Sequence, residues 1–528
     1  VSRLLDTTSV TGPAIPADRD LYSRVRRAWR TPRAAAITFG SAAAMLALIG
    51  SWIPSLWGDE AASVMSAERP VPSLLRMLTH VDAVHGTYYL ALHGWISVFG
   101  ASPFSVRLPS AFAAGLTVAA VVLIAWRLAS PRAALVAGVI CCVLPRVTYM
   151  GEEARSYAFS AAIASWLTLL LVELLARRLV RRRWWILYGV GLVLGTYLFL
   201  YTVLIVIAHA AILLRARPGR RFGVVWLRVV CASALTASPL IVLAYLERAQ
   251  IAYLKDNPQV TFESVFTSLW FGAIWFAAIA WALILIAIVH GLRTWRRERR
   301  GVRAARIATP PPDSAKLPGL TFVAAVWLVI PSAMLIGSQV AFADFTARYL
   351  TFCAPAAALL MAAGLLALTR ARARWLVAGL VVIVAAAAPV YVAQRGPYAM
   401  NGSDWAEVSA TVGAHAHPGD AIVFDESARP SRRPQLALHT YPAGFAGLRD
   451  VDLETPFTQS STWYDRVYTV TQAYDLGRYD GVTRVWLVEY ADGSHVDRYG
   501  IDDLEDHGYH ESAVHYRTHT GMVYLFER

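Results

Sequence analysis

The chain has 528 residues, 56% hydrophobic and only 16% charged; a soluble domain carries about a quarter charged residues, so a soluble globular protein is excluded. The formal charge of +13 is unevenly spread: residues 395–528 hold 11 Arg and no Lys against 20 Asp and Glu, a net of −9, which leaves +22 on residues 1–394. That surplus lies in short clusters between apolar runs, the pattern of membrane-protein loops, and argues against nucleic acid as a partner.

In chain order, residues 1–34 are polar and Arg-rich and read as a cytoplasmic N-terminus without a cleavable signal peptide. About 20 apolar residues suffice to cross a bilayer. By that measure candidate spans fall at 35–54, 107–126, 133–148, 156–176, 184–198, 199–214, 224–246, 266–290, 318–340, 349–368 and 375–393. The run 184–214 is too long for one span and reads as a helical hairpin about the segment "TYLFLYT". Arginine clusters lie before the first span and at "ARRLVRRRWW", "RARPGRRF", "RTWRRERRGVRAAR" and "TRARARW". With eleven spans all of them fall on the cytoplasmic side. The piece "ATPPPDSAK" is then a cytoplasmic linker.

The opposite face receives residues 55–106, which are unusual for a loop. They hold a short amphipathic helix at "VPSLLRMLTHV" and an apolar aromatic stretch, "GTYYLALHGWISVFG", suited to an interfacial helix. The tail 395–528 reads as an extracytoplasmic α/β domain. Its strands are expected at "DAIVFDES", "RVWLVEY", "SAVHYRTH" and "MVYLFER", and its helices at "SDWAEVSATVGAHA", "TWYDRVYTVTQAYDL" and "DRYGIDDLEDHG". Asp404 and Glu407 have the spacing of a capping box. The expected fold class is therefore a polytopic α-helical membrane protein of about 11 transmembrane helices, domain 35–394, followed by the α/β domain. All four cysteines, Cys141, Cys142, Cys231 and Cys353, fall in apolar segments, and no structural disulfide is expected.

Polar residues gather at the loop face: Asp59, Glu60, His80, Asp82, His85, Tyr88, Tyr89, Arg107, Glu152, Glu153, Arg155, Tyr157, Arg348 and Tyr349. Charges near span ends are costly and mark functional candidates. Carboxylates accept protons or bind metal, whereas guanidinium forks match phosphate oxygens. Structural roles compete for several of them. Asp59 suits an N-cap; Glu152 and Arg155 suit a helix-face ion pair; Arg107 suits an interfacial anchor, and Tyr88 and Tyr89 an aromatic belt. His209, in an apolar run, reads as a buried, hydrogen-bonded histidine. A divalent metal at Asp59, His80, Asp82 and His85 is the rarer alternative.

Three stretches, "WGDEAAS", "HGTYYLALHGWISVFGASPFSVRLPSA" and "YMGEEARSYAFSAAIASWLTLLL", resemble the GT-C superfamily of multispanning glycosyltransferases. The similar branch is the one that includes protein O-mannosyltransferases and aminoarabinose transferases. The resemblance covers most of residues 50–175, with "ARYL" and the tail beginning near "DW" in further support. It departs at His85-Gly86-Thr87, where the family carries His-Pro-Pro. The resemblance implies transfer of one sugar, by inversion, from a polyprenyl-phosphate donor lipid to a glycan, glycolipid or protein acceptor in the cell envelope. Mannose is the implied sugar, arabinofuranose the alternative, and no cofactor is required. Asp59 would be the general base, with Glu60 orienting the acceptor. Arg348, Arg155 and Arg107 would hold the donor phosphate. His85, Tyr88, Tyr89, Asp82, Glu152, Glu153, Tyr157 and Tyr349 would line donor sugar or acceptor. The Arg-rich, Lys-poor composition fits an actinobacterial envelope enzyme by analogy. A transporter is the rival class, but it favours ionisable groups near the midplane and inverted repeats, neither of which the sequence displays.

Overall fold

The structure, a computed structural model, describes residues 31–178, 181–250, 260–305, 317–340, 345–492, 495–496 and 498–528. The N-terminal arginines before residue 31 and the whole of the "ATPPPDSAK" linker lie outside the described residues. The membrane domain comprises α1 (Pro32–Leu48), the loop helices α2 (Gly58–Glu68), α3 (Val71–Met77) and α4 (Gly86–Phe99), then α5 (Pro103–Leu128), α6 (Pro131–Val143), α7 (Pro145–Gly151), α8 (Tyr157–Arg177), α9 (Arg182–Leu198), α10 (Ile205–Ala216), α11 (Arg220–Leu246), α12 (Ile274–Ala305), α13 (Leu320–Ser338), α14 (Ala354–Leu368) and α15 (Ala373–Ala393). Short 3-10 turns at Leu200–Leu204 and Ala347–Cys353 lead into α10 and α14.

Among the described residues seven helices are long and apolar enough to cross a membrane, eight if the pair α6 and α7, bent by 59°, is one span. The protein is a multi-pass membrane protein. Three further expected spans coincide with α1, α9 and the Leu200–Ala216 segment, each 17 residues, about 25 Å of helix at 1.5 Å per residue and short of a 30 Å core. The outer belt is apolar, with Leu235 76% and Val381 61% exposed, as lipid-facing positions require. Inside, small residues let the helices approach closely: Ala43, Ala47, Ala111 and Ala114 are buried where α1 meets α5.

The loop helices form their own cluster, in which Leu56, Val64, Leu74, Met77, Tyr88 and Tyr89 are buried. The expected helices at 71–81 and 86–100 are both present, ending earlier at Met77 in the first case.

Residues beyond Arg395 build a mixed sheet of strand order β2-β1-β5-β8-β7, with β1 (Ala421–Phe424), β2 (Arg449–Asp450), β5 (Arg484–Asp492), β7 (His510–Arg517) and β8 (Gly521–Glu527). Strand β6 (His495–Val496) pairs β5, and β3 (Leu453–Thr455) pairs β4 (Arg466–Val467) separately. The two-residue period of a strand sorts Ile422, Phe424, Trp486 and Val488 to one core and Ala421, Val423, Val485 and Leu487 to the other. Helices α16 (Trp405–His415) and α17 (Leu436–Thr440) supply the first core, α18 (Val470–Asp475) and α19 (Ile501–Asp506) the second. The first core also contains Ala61 and Met65 of α2, so the loop helix is shared between membrane domain and sheet domain.

Two expectations need correction. The helix expected at 462–476 begins only at Val470, because Arg466–Val467 pairs as strand β4. Asp404 does stand at the N-cap of α16, but its carboxylate makes no capping bond. It accepts instead from Thr518 Oγ1 at 2.6 Å and from the Thr520 amide and hydroxyl at 2.6 and 2.7 Å, stapling α16 to the β7–β8 turn.

Candidate functional site

The chain enters α2 in an extended conformation at Trp57 and turns helical at Gly58. A Cβ at Gly58 would lie 2.2 Å from the Ser431 carbonyl oxygen, so the sheet domain sits directly on the first turn of this helix and only glycine fits. Asp59 is within the helix, not its N-cap, and no side chain caps α2; the structural role expected as the rival for Asp59 is not the one observed. Successive helical residues point about 100° apart, and the two adjacent carboxylates therefore reach different partners.

Glu60 turns inward. Its two oxygens accept from Arg107 Nε at 2.8 Å and Nη2 at 2.5 Å, and Oε1 also accepts from the Ala154 amide at 2.8 Å. Arg107 donates further to the carbonyls of Ser51, Pro54 and Ser55. Both side chains are 1% exposed or less. A guanidinium has five N–H groups, and all five of Arg107 are used within the protein. It has no donor left for a phosphate, and Glu60 is closed off from any acceptor. The pair ties α2, α5 and the 152–156 turn together, which corrects both expected roles and also the anchor reading of Arg107.

Asp59 turns toward two other arginines. Its Oδ2 lies 2.9 Å from Arg348 Nη1 and 3.8 Å from Arg155 Nη2, with the Asp59 side chain 19% exposed. Arg348 comes from the 3-10 turn before α14 and stacks its guanidinium 5.1 Å over the Trp57 ring. Arg155 comes from the turn between α7 and α8. It donates to the Asp59 carbonyl and Ser63 Oγ, both at 3.1 Å, and to His85 Nε2 at 3.0 Å. Unlike Arg107, these two arginines keep a buried Nε–H without a protein acceptor. His85 therefore accepts through Nε2, and burial, with Arg155 and Arg348 adding to it, holds it well below its usual titration range, as a neutral imidazole. Tyr89 donates to Asp82 Oδ2 at 3.1 Å, and burial raises the Asp82 carboxyl above its ordinary value.

Two more carboxylates lie in the turn after α7. A Cβ at Gly151 would stand 2.6 Å from Ala47 Cβ and 3.0 Å from Ala114 Cβ; this close approach to α1 and α5 sets where the turn begins. Glu152 forms an ion pair with Arg395 at 3.1 Å, and burial pushes it up to about 8 despite that partner. Glu153 is 1% exposed, and neither of its oxygens has a hydrogen-bond partner. Burial raises it to about 7, with Arg348 pulling down and Glu60 and Asp59 pushing up. Tyr157 and Tyr349 join Phe199 and Tyr201 in an aromatic wall, in which Tyr201 stacks on Tyr349 at 5.1 Å.

The family model for dolichyl-phosphate-mannose-protein mannosyltransferases matches residues 87–244. No curated protein matches the sequence. Among solved structures, ArnT from Cupriavidus metallidurans bound to undecaprenyl phosphate is similar with a TM-score of 0.55 at 13% identity, covering 93% of this chain and 97% of that one. The apo state of the same protein gives a TM-score of 0.56 at 12% identity over the same shares of both chains. The chain shares the fold of that protein.

The expected site residues divide into three groups. Asp59, Arg155, Arg348, His85, Tyr89 and Asp82 are linked by contacts, with Glu153, Tyr157 and Tyr349 beside them. Glu60 and Arg107 form the buried scaffold. Glu152 pairs with Arg395, so the Glu152–Arg155 helix-face pair is absent. Tyr88 is buried against Tyr89 and Phe159, not in an interfacial belt. His80 is exposed and bonded to its own turn through Thr79 and the Arg76 carbonyl. Among the described residues no three His, Cys, Asp or Glu side chains converge as a metal site. His209 is buried between Thr168 at 3.0 Å and Tyr188 at 2.7 Å, as its setting suggested, and all four cysteines are free.

Sequence reasoning missed Arg395, Trp57, Phe199 and Tyr201. Arg395 immediately follows the last helix and donates to the carbonyls of Leu46 and Ile49 while pairing Glu152. A lone arginine at the loop-face end of a span, where positive charge is otherwise scarce, was the available signal.

Proposed function

We propose that this protein transfers a sugar from a polyprenyl-phosphate donor to an acceptor hydroxyl on the extracytoplasmic side of the membrane. The observation that carries the reading is a single carboxylate, Asp59, bridging two guanidiniums that retain unsatisfied buried N–H groups, beside a carboxylate, Glu153, that has no hydrogen-bond partner. Arg348 and Arg155 bind the phosphate of the donor, and charge moving onto that leaving phosphate in the transition state strengthens the contact. The acceptor oxygen attacks the anomeric carbon, the carbon–oxygen bond to phosphate breaks, and the proton of the acceptor hydroxyl passes to a carboxylate. In-line attack inverts the anomeric configuration. The match to a mannosyltransferase family model supports mannose as the sugar, and the likeness to a protein solved with undecaprenyl phosphate supports a prenyl carrier. Arginine-rich connections at the far ends of the helices support a cytoplasmic face opposite the site.

Asp59 is the proposed base, and the test is Asp59→Asn. Purified variant should keep its fold and lose transfer of label from polyprenyl-phospho-mannose by about 10²–10⁴-fold, the usual contribution of a general base. Transfer at the wild-type rate would remove Asp59 from that role. One observation favours a second assignment of the base within the same reaction: Glu153, raised to about 7 by burial, is poised to exchange a proton near neutral pH, whereas Asp59 is already engaged by two cations.

A further inference from the structure

Leading away from the sugar site, helices α9 and α11 leave between them a groove of about 960 Å³. The two helices run in the same direction, joined by α10, and touch through Ser233 Oγ donating to the Gly189 carbonyl at 3.2 Å and Tyr197 Oη donating to the Thr236 carbonyl at 3.1 Å. Beside that seam the wall is apolar and open: Ile186, Val190 and Leu194 are 52%, 56% and 45% exposed. From Arg182 to Tyr197 the groove follows sixteen residues of α9, about 22 Å from first to last, a length comparable with one leaflet of a bilayer whose core is about 30 Å thick.

The two ends of the groove differ in charge. At the end facing the sugar site stand Thr87, Tyr197 and Thr236, all uncharged; at the far end stand Arg182 and Arg228. Around that far end, residues 173–228 contain ten arginines and one acid, Glu173. Glu173 is already shared by Arg127 at 2.9 Å and Arg177 at 2.8 Å. Arg182 and Arg228 are both exposed, and neither forms an ion pair among the described residues. A polyprenyl phosphate lying here with its phosphate at the sugar site would place its uncharged tail against these two guanidiniums. The charge favours the reverse arrangement, an anionic head at Arg182 and Arg228 with a hydrocarbon chain running toward Thr87. Basic pockets between membrane helices recognise anionic lipid headgroups in this way.

We propose that the groove between α9 and α11 is a binding site for an anionic glycerophospholipid of the leaflet opposite the sugar site, its phosphate held by Arg182 and Arg228. The site is independent of the glycosyl-transfer reading. Native mass spectrometry on the delipidated full-length protein tests it with three probes: phosphatidylglycerol, phosphatidylcholine of the same acyl composition, and undecaprenyl phosphate. Wild type should bind phosphatidylglycerol in preference to phosphatidylcholine. Arg182→Gln/Arg228→Gln should weaken phosphatidylglycerol about thirtyfold, at roughly 1 kcal/mol for each arginine, and leave phosphatidylcholine unchanged. Val190→Trp, which fills the apolar wall, should weaken phosphatidylglycerol as well. Both arginines are exposed, so their variant is expected to keep the wild-type melting temperature and remains informative even if the tryptophan variant fails to fold. Equal binding of the two glycerophospholipids, or a double variant indistinguishable from wild type, would overturn the proposal. So would displacement of phosphatidylglycerol by undecaprenyl phosphate in wild type but not in Val190→Trp, which would give the groove to the prenyl carrier.

Discussion

Asp59 and Glu60 are neighbours in sequence, identical in charge and each paired with arginine, yet they do opposite work. Glu60 and Arg107 saturate one another: both carboxylate oxygens and all five guanidinium N–H groups have protein partners, and neither side chain is more than 1% exposed. Asp59, 19% exposed, meets Arg348 and Arg155, and each arginine keeps an N–H without an acceptor. The contrast teaches that the presence of an ion pair says little about its role, whereas unused hydrogen-bonding capacity says a great deal. A buried pair with every bond made holds backbone segments together; one with donors and acceptors left over is available to a ligand.

The sharpest way to break that contrast is to remove one arginine from each pair. Arg348→Ala should leave the melting temperature near wild type and lower kcat/KM for a polyprenyl-phospho-sugar by about 10²–10³-fold, the usual loss when a charge-stabilising donor is removed. Arg107→Ala should do the reverse, destabilising the fold by about 3–5 kcal/mol by leaving Glu60 charged and unpaired in the interior. Thermal unfolding in detergent separates the two outcomes, and equal stability losses would erase the proposed division.

Glu153 sharpens the comparison through pH. Its folded-state value of about 7 stands above the ordinary 4.5, so between those values the folded protein binds a proton that the unfolded chain has released. Its contribution to stability is therefore complete at low pH and is lost as pH rises through that window. Glu153→Gln should flatten this part of the stability profile and give a variant more stable than wild type above pH 7. If Glu153 also takes the acceptor proton, log kcat/KM in wild type rises through about pH 7, and Glu153→Gln removes that limb with a loss of about 10²-fold at pH 8. A retained limb would leave Glu153 with a packing role only. The smallest effect is expected from Gly151→Ala. The added Cβ, 2.6 Å from Ala47 Cβ, should cost about 1–3 kcal/mol through overpacking, with kcat falling modestly as Glu153 and Arg155 shift.

Much of the membrane domain was legible because hydrophobic length and charge clusters act locally: each expected span coincides with helix, and the hairpin near residues 196–202 and both loop helices are present. Less legible were three apolar segments whose 17-residue helices are short for a crossing, and the 462–476 segment, where pairing with β3 outcompeted helix formation. The site was legible as a collection of residue types on one face, since costly charges at span ends stand out in sequence. Its internal bonding was not, because Arg107 looked as available as Arg348 until the carbonyls of Ser51, Pro54 and Ser55 were seen to fill its fork.

By itself the sequence determined which segments are apolar enough to leave water, which loop face carries the acids, and which motifs invite a glycosyl-transfer reading; these follow from composition within about 20 residues and need no folded partner. Only the tertiary structure decided which of two adjacent carboxylates stays partly exposed, that Arg395 completes the pair with Glu152 from the far end of the membrane domain, and that the sheet domain rests on Gly58. Those outcomes depend on hydrogen bonds between residues tens to hundreds of positions apart, and their geometry exists only once the helices have packed.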